Sequence, residues 1–222
     1  MKRQPARAPR YGGWISVLGA FSAALPLAAA EEPARTSPNL ATTPAEPPVS
    51  ISSTPTPLQV PPPDCAQGVT PAQTEGPYYK PHSPERTSLL EPGMTGVRIT
   101  VTGTVLTQRC QPIAGAWLDF WQANAQGEYD NRGYTLRGHQ LTDAKGRYAL
   151  ETILPGRYPG RPPHLHVKVR APGQPTLTTQ LYFPEAQPYN RSDPFFNPSL
   201  LVTWLDAPES RIAVYDFVLD LK

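Results

Sequence analysis

The chain holds only four histidines, His82, His139, His164 and His166. Two of them stand one residue apart in Arg161-Pro162-Pro163-His164-Leu165-His166-Val167-Lys168-Val169. On a strand, residues i and i+2 share a face, so both imidazoles point the same way and can converge on one cation. Copper, zinc and iron all accept such a pair, and accidental surface pairs share its spacing, so other donors must choose the metal. A two-histidine-one-carboxylate iron(II) arrangement needs an acid, and none lies close to the pair in the chain. Tyrosine does lie close. Tyr158 sits six residues before His164, in Pro155-Gly156-Arg157-Tyr158-Pro159-Gly160. Two prolines and two glycines bend that loop, so the ring can face back toward the strand. Tyr129 follows Trp121-Gln122-Ala123-Asn124-Ala125-Gln126-Gly127-Glu128. A phenolate is a hard, anionic oxygen donor suited to a ferric ion. A trivalent cation drives the phenol proton off well below its free pKa of about 10.

Each of these residues also has a plainer reading. Alone, Tyr129 and Tyr158 are core or turn tyrosines, Arg161 is a solvated cation and Gln180 a hydrogen bonder on a strand face. Trp117 and Trp121 read as core, and Tyr134, His82 and His139 as surface positions.

The elements that must position these groups are short and β-rich. From Cys65 onward, runs over 97–106, 113–121, 146–153, 164–169, 177–183 and 212–219 alternate with Gly, Pro, Asp and Asn. Period-two alternation between turn signals predicts an all-β fold, an antiparallel β-sandwich with long connecting loops. Asp143-Ala144-Lys145-Gly146 reads as a hairpin turn. No amphipathic helical stretch of useful length competes, and no internal repeat appears.

Residues 1–30 read as an export signal rather than fold. Lys2, Arg3, Arg7 and Arg10 open it without an acid, an apolar run follows to about Leu27, and Ala28-Ala29-Ala30 precedes Glu31-Glu32. The alternative, an uncleaved membrane anchor, is opposed by the shortness of the run and by Pro26. Of 20 Lys and Arg these four would leave, so 16 remain against 18 Asp and Glu, and the formal charge moves from +2 to −2. Neither value suggests a nucleic-acid partner. Residues 31–64 hold ten of the 30 prolines and no aromatic residue. Such a stretch buries too little apolar surface to fold, and reads as a disordered linker about 100 Å long when stretched. It could tether the domain 65–222 to a membrane or wall. Two cysteines, Cys65 and Cys110, are too few for a four-cysteine zinc site or a disulfide scaffold. In an exported chain they are expected to pair.

Five stretches resemble the intradiol ring-cleavage dioxygenases, the group that includes protocatechuate 3,4-dioxygenase. They are Thr74-Glu75-Gly76-Pro77-Tyr78-Tyr79, Trp121-Gln122-Ala123-Asn124-Ala125, Leu136-Arg137-Gly138 with Thr142-Asp143, the run from Thr152 to His166, and Thr179-Gln180-Leu181-Tyr182-Phe183. The resemblance implies a ferric ion, Fe(3+), held by Tyr129, Tyr158, His164 and His166. It makes Tyr129 the equatorial and Tyr158 the axial tyrosine, with Tyr158 also accepting a proton from the substrate. It places Arg161 near the substrate ring to stabilise developing charge, Gln180 near the active site, and Tyr79 along the pocket. The implied reaction cleaves a catechol between its hydroxylated carbons with O2, giving a muconate-type dicarboxylate. The chain departs from catechol 1,2-dioxygenases in having signal and linker where they carry a helical dimerisation region. Only 28 residues separate Tyr129 from Tyr158, fewer than the resemblance to protocatechuate enzymes leads one to expect, and that shorter insertion implies a more open pocket. Two other readings compete: an exported, catalytically inactive β-sandwich binding module, and a copper- or zinc-binding module using only the His-x-His pair.

Overall fold

The computed structural model describes residues 61–207 and 210–222. The expected signal over 1–30, and the linker up to residue 60, lie outside the described residues. Among the described residues nine strands form: β1 (Arg98–Thr107), β2 (Trp117–Trp121), β3 (Arg137–Leu141), β4 (Arg147–Ile153), β5 (His164–Arg170), β6 (Leu177–Tyr182), β7 (Thr203–Ala207), β8 (Ser210–Val214) and β9 (Phe217–Leu219). One sheet runs β4-β1-β8-β7, with β9 also paired to β1; the other runs β3-β2-β5-β6. Val101, Val105, Leu150 and Phe217 of the first sheet share one buried core with Leu118, Phe120, Leu165, Val167 and Leu181 of the second. This is the expected β-sandwich.

Four details differ from the sequence reading. The β1–β8 and β1–β9 ladders are parallel, while the others are antiparallel. Alternation of side chains carries no strand direction, and the chain crosses to the second sheet and back before β8 reaches β1. The 212–219 run splits into two strands at Tyr215-Asp216, where the Asp216 carboxylate accepts from the Thr104 backbone N–H at 2.7 Å. Asp143–Gly146 does form a tight turn, closed by Gly146 N–H to Asp143 C=O at 2.9 Å. It is a corner and not a hairpin, because β3 and β4 belong to different sheets. Strands β3 and β7 had no clear apolar alternation to announce them.

The strand that matters most for chemistry is β5. Leu165, Val167 and Val169 face the core, and the opposite face carries His164 and His166, each 2% exposed. The register sets Trp121 and Gln180 beside His166, and Tyr182 beside His164. The outer face of this sheet is therefore polar but covered. Its covers are the segment before β1, the β2–β3 and β4–β5 loops, and the β6–β7 segment with its one helical turn α1 (Gln187–Asn190). Cys65 and Cys110 stand with Cα atoms 5.9 Å apart, within disulfide reach.

Candidate metal centre

The two imidazoles meet as the strand geometry requires, with Nε2 atoms 3.1 Å apart. His164 Nδ1 lies 2.7 Å from the Pro162 carbonyl, which can only accept. Nδ1 therefore carries the proton, and the Nε2 lone pair of His164 faces the gap between the rings. Trp121 lies flat against His166, centroids 4.7 Å apart and planes within 10°. Burial, then the nearby Arg161 charge, pushes His164 down to about 4. Burial, then His164 itself, pushes His166 well below the ordinary histidine range. Both rings are thus neutral near pH 7, the form that ligates a metal.

Both tyrosines reach this pair from loops that are locked together. The ring of Tyr158 is 5.5 Å from that of His164, the ring of Tyr129 is 6.4 Å from that of His166, and the two phenols are 5.8 Å apart. The Asn124 carbonyl accepts from Gly127 N–H at 3.0 Å and from Gly156 N–H at 2.9 Å, so one atom joins the Tyr129 loop to the Tyr158 loop. The Asn124 side chain accepts from Gln126 and Glu128 N–H. Gln122 donates to the Ile153 carbonyl at 2.9 Å and accepts from Thr152 Oγ1 at 2.9 Å. Gly127, at φ +84°, passes so close to Arg157 that a Cβ there would sit 1.8 Å from the Arg157 carbonyl oxygen. On the far side of Tyr129, Asp130 accepts three backbone N–H bonds, from Arg132, Gly133 and Thr135.

The donors fit a hard trivalent cation. The Tyr129 hydroxyl is buried without a hydrogen-bond partner, an arrangement that a metal bond would satisfy. Burial, then the neighbouring Tyr158, pushes the Tyr129 phenol far up. Burial also raises Tyr158, against the pull of Arg161. In the protein alone both phenols are neutral, and only a strong cation would ionise them. Among the described residues no cluster of three His, Cys, Asp or Glu side chains exists, so a two-histidine-one-carboxylate set has no acid to use.

Arg161 ties Tyr158 to the strand. Its Nη2 donates to Gln180 Oε1 at 2.6 Å and its Nε to Asp193 Oδ2 at 2.9 Å, while Nη1 lies 3.4 Å from the Tyr158 hydroxyl. Burial alone would lower Arg161, but its bond to Asp193 and its nearness to Tyr158 more than offset this and raise it.

The structure thus brings Tyr129, Tyr158, His164, His166, Arg161 and Gln180 into one place. It redistributes the rest. Tyr79 does not meet the phenols; it packs on Trp121 at 4.8 Å and donates to Asp119. Its neighbour Tyr78 stacks on Tyr129 at 4.3 Å and stands edge-on to Tyr158 at 6.0 Å. Trp121 is buried, as expected, but on the outer face against His166. Trp117 is only half-buried. His139 is not a surface residue: it is half-buried, its Nδ1 2.7 Å from the Ser83 carbonyl. Asp193 and Tyr182 escaped the sequence reading. Tyr182 could have been found by stepping two residues along β6 from Gln180; Asp193 had no local signal.

Asp130→Ala removes the acceptor for three N–H groups beside Tyr129. It is expected to lower stability by about 1–3 kcal/mol, measured by urea unfolding. These bonds hold the Asp130 carboxyl well below its ordinary range. The native state thus resists protonating it, and the contribution is present above about pH 4 and fades as the pH falls below that. The wild-type and Asp130→Ala unfolding midpoints should accordingly converge in acid.

A family model described as Dioxygenase matches residues 74–221. The chain is 34% identical over 146 residues to catechol 1,2-dioxygenase from Candida albicans, covering 53% of this chain and 48% of that protein. It is 38% identical over 125 residues to hydroxyquinol 1,2-dioxygenase from Rhizobium sp., covering 46% of this chain and 42% of that protein. The chain spans about half the length of these curated relatives. Among solved structures, it is similar to the dioxygenase domain of a dioxygenase carbohydrate-binding protein fusion from Streptomyces sp. SirexAA-E. There the TM-score is 0.67 and the identity 52%, over 69% of this chain and 99% of that chain.

Proposed function

The chain belongs to the intradiol ring-cleavage dioxygenases, and from that premise we propose that it opens catechol-type rings between the two hydroxylated carbons with O2, giving muconate-type dicarboxylates. The observation that carries this reading is the convergence of two phenols on two neutral, buried imidazoles. Tyr129, Tyr158, His164 and His166 would hold iron(III). When bound, that ion supplies the Lewis acidity that binds a deprotonated diol and draws electron density from its ring. With that ion bound, the Tyr158 phenol would be ionised, and its oxygen would be the atom that takes up a substrate proton. Arg161, through Nη1, faces that oxygen and favours negative charge arriving beside it. Gln180 holds the second guanidinium edge. Tyr78 and Trp121 wall off the phenol and the imidazole and keep both rings oriented.

The readings as an inactive binding module or a copper or zinc module are not favoured. The pair does not stand alone, and nothing in the donor set is missing. We further propose export, with cleavage before Glu31, a Cys65–Cys110 disulfide in the exported protein, and the Pro-rich stretch as a tether. N-terminal sequencing and the mass change on reduction test the first two. The proposed substrates stay at the level of catechol-type aromatics and O2.

The deciding experiment uses exported, purified protein. The expected result is one iron per chain, a broad visible absorption from tyrosinate-bound ferric ion, and O2 uptake matched by ring-cleaved product when catechol is added. A colourless protein replete in zinc or copper, or an iron protein inert toward a panel of substituted catechols, would overturn the reading.

A further inference from the structure

Among the described residues Arg161 is the cation placed at hydrogen-bond distance from the Tyr158 hydroxyl, and its usefulness depends on which of its N–H groups is left free. Two edges are already taken. Gln180 cannot turn away, because its Nε2 donates to the Thr74 carbonyl at 2.8 Å and so fixes Oε1 toward Arg161 Nη2. Asp193 takes the Nε edge. The side chain of Asp193 is fully buried and that of Arg161 is 11% exposed. Asp193 also accepts from the Phe195 backbone N–H at 3.0 Å through Oδ1, and lies 3.4 Å from the Tyr182 hydroxyl through Oδ2. The Phe195 ring then lies across the guanidinium, 4.9 Å from Cζ to centroid. The two N–H groups bound to this carboxylate can only donate, and they reach different oxygens, an arrangement that an ionised acid satisfies and an amide cannot.

We propose that Asp193 is a positioning residue for ring cleavage: it fixes the plane of Arg161 so that Nη1 is presented to Tyr158 and the arriving substrate. This rests on the dioxygenase reading of the site. Asp193 reaches the chemistry only through Arg161, and it ties the β6–β7 segment to that arginine through the Phe195 turn. A buried, charge-assisted carboxylate bond to Nε restricts rotation about the terminal torsions of arginine. Without the Nε partner, Nη1 would spend much of its time away from the phenolic oxygen.

A double-mutant cycle tests this. Asp193→Asn is expected to lower kcat/KM for catechol by about 10–100-fold, mostly in kcat. In an Arg161→Met background the same substitution is expected to change it by less than about twofold. In metal-free protein carrying 15N-labelled arginine, the slowly exchanging Arg161 Nε–H signal should vanish in Asp193→Asn. If Asp193→Asn does not fold, Asp193→Glu keeps the charge, displaces it by one methylene, and should show the same non-additivity. Equal losses in both backgrounds, or an unchanged Nε–H signal, overturn the proposal. Absence of ring cleavage by the unaltered protein sinks the dioxygenase reading instead, and the Nε–H signal then decides the role of Asp193 by itself.

Discussion

His166→Ala is expected to yield a folded chain that neither retains iron nor turns over catechol. The loss should exceed about a thousandfold, as when one member of a cooperating catalytic unit is removed. The imidazole sits at the centre of the site. It contacts His164 at 3.1 Å, lies flat on Trp121, and faces the unpartnered Tyr129 hydroxyl side. Among the described residues neither flanking position on the sheet can take its place: Trp121 on β2 offers no ring lone pair, and Gln180 on β6 is committed to Arg161 and Thr74. Metal analysis and oxygen uptake read the two losses separately. Full turnover by His166→Ala would remove this residue from the ligand set, and with it the convergence on which the proposed function stands. Retained iron with lost turnover would instead make it a substrate-side group.

The sandwich and the His-x-His face were legible because both rest on period two. Leu165, Val167 and Val169 announce one face of β5, and His164 and His166 must then lie on the other. Strand direction was not legible, since β8 alternates in the same way whether it runs parallel or antiparallel to β1. The corner at Asp143–Gly146 misled for a related reason. A tight turn fixes four residues, but which sheet the next strand joins is decided by packing far away. At the site, the tyrosines stood out by type and by the bent loop around Tyr158. Their supporting residues did not. Gln122 and Asn124 look like ordinary polar loop residues until Ile153 and Gly156 are brought beside them. Asp193 lies 32 residues from the arginine it holds, a separation across which no local pattern operates.

Those long-range supports make the backbone at Gly127 as sensitive as any side chain. Gly127→Ala is expected to cost about 3 kcal/mol or more, and to lower kcat/KM by about a hundredfold even in molecules that stay folded. Two effects add. The residue sits at φ +84°, where a Cβ is strained by about 1–2 kcal/mol. That Cβ would also stand 1.8 Å from the Arg157 carbonyl oxygen and 3.1 Å from the Tyr158 nitrogen. The obstacle is backbone, so no rotamer change relieves it. The two loops must separate, and they carry the two phenols. Displacement of about an ångström at reacting groups is enough for losses of that size. Gly160→Ala separates strain from clash. It has a similar φ of +81° and lies two residues from Tyr158, yet nothing stands within 4 Å of its Cβ. It should therefore cost only the strain, about 1–2 kcal/mol, and leave the tyrosinate absorption in place. Urea unfolding and the visible spectrum of both variants decide the matter. Equal losses in the two would mean that the close approach of Gly127 to Arg157 does not hold the phenols, and that the tyrosines are positioned by their side-chain contacts alone.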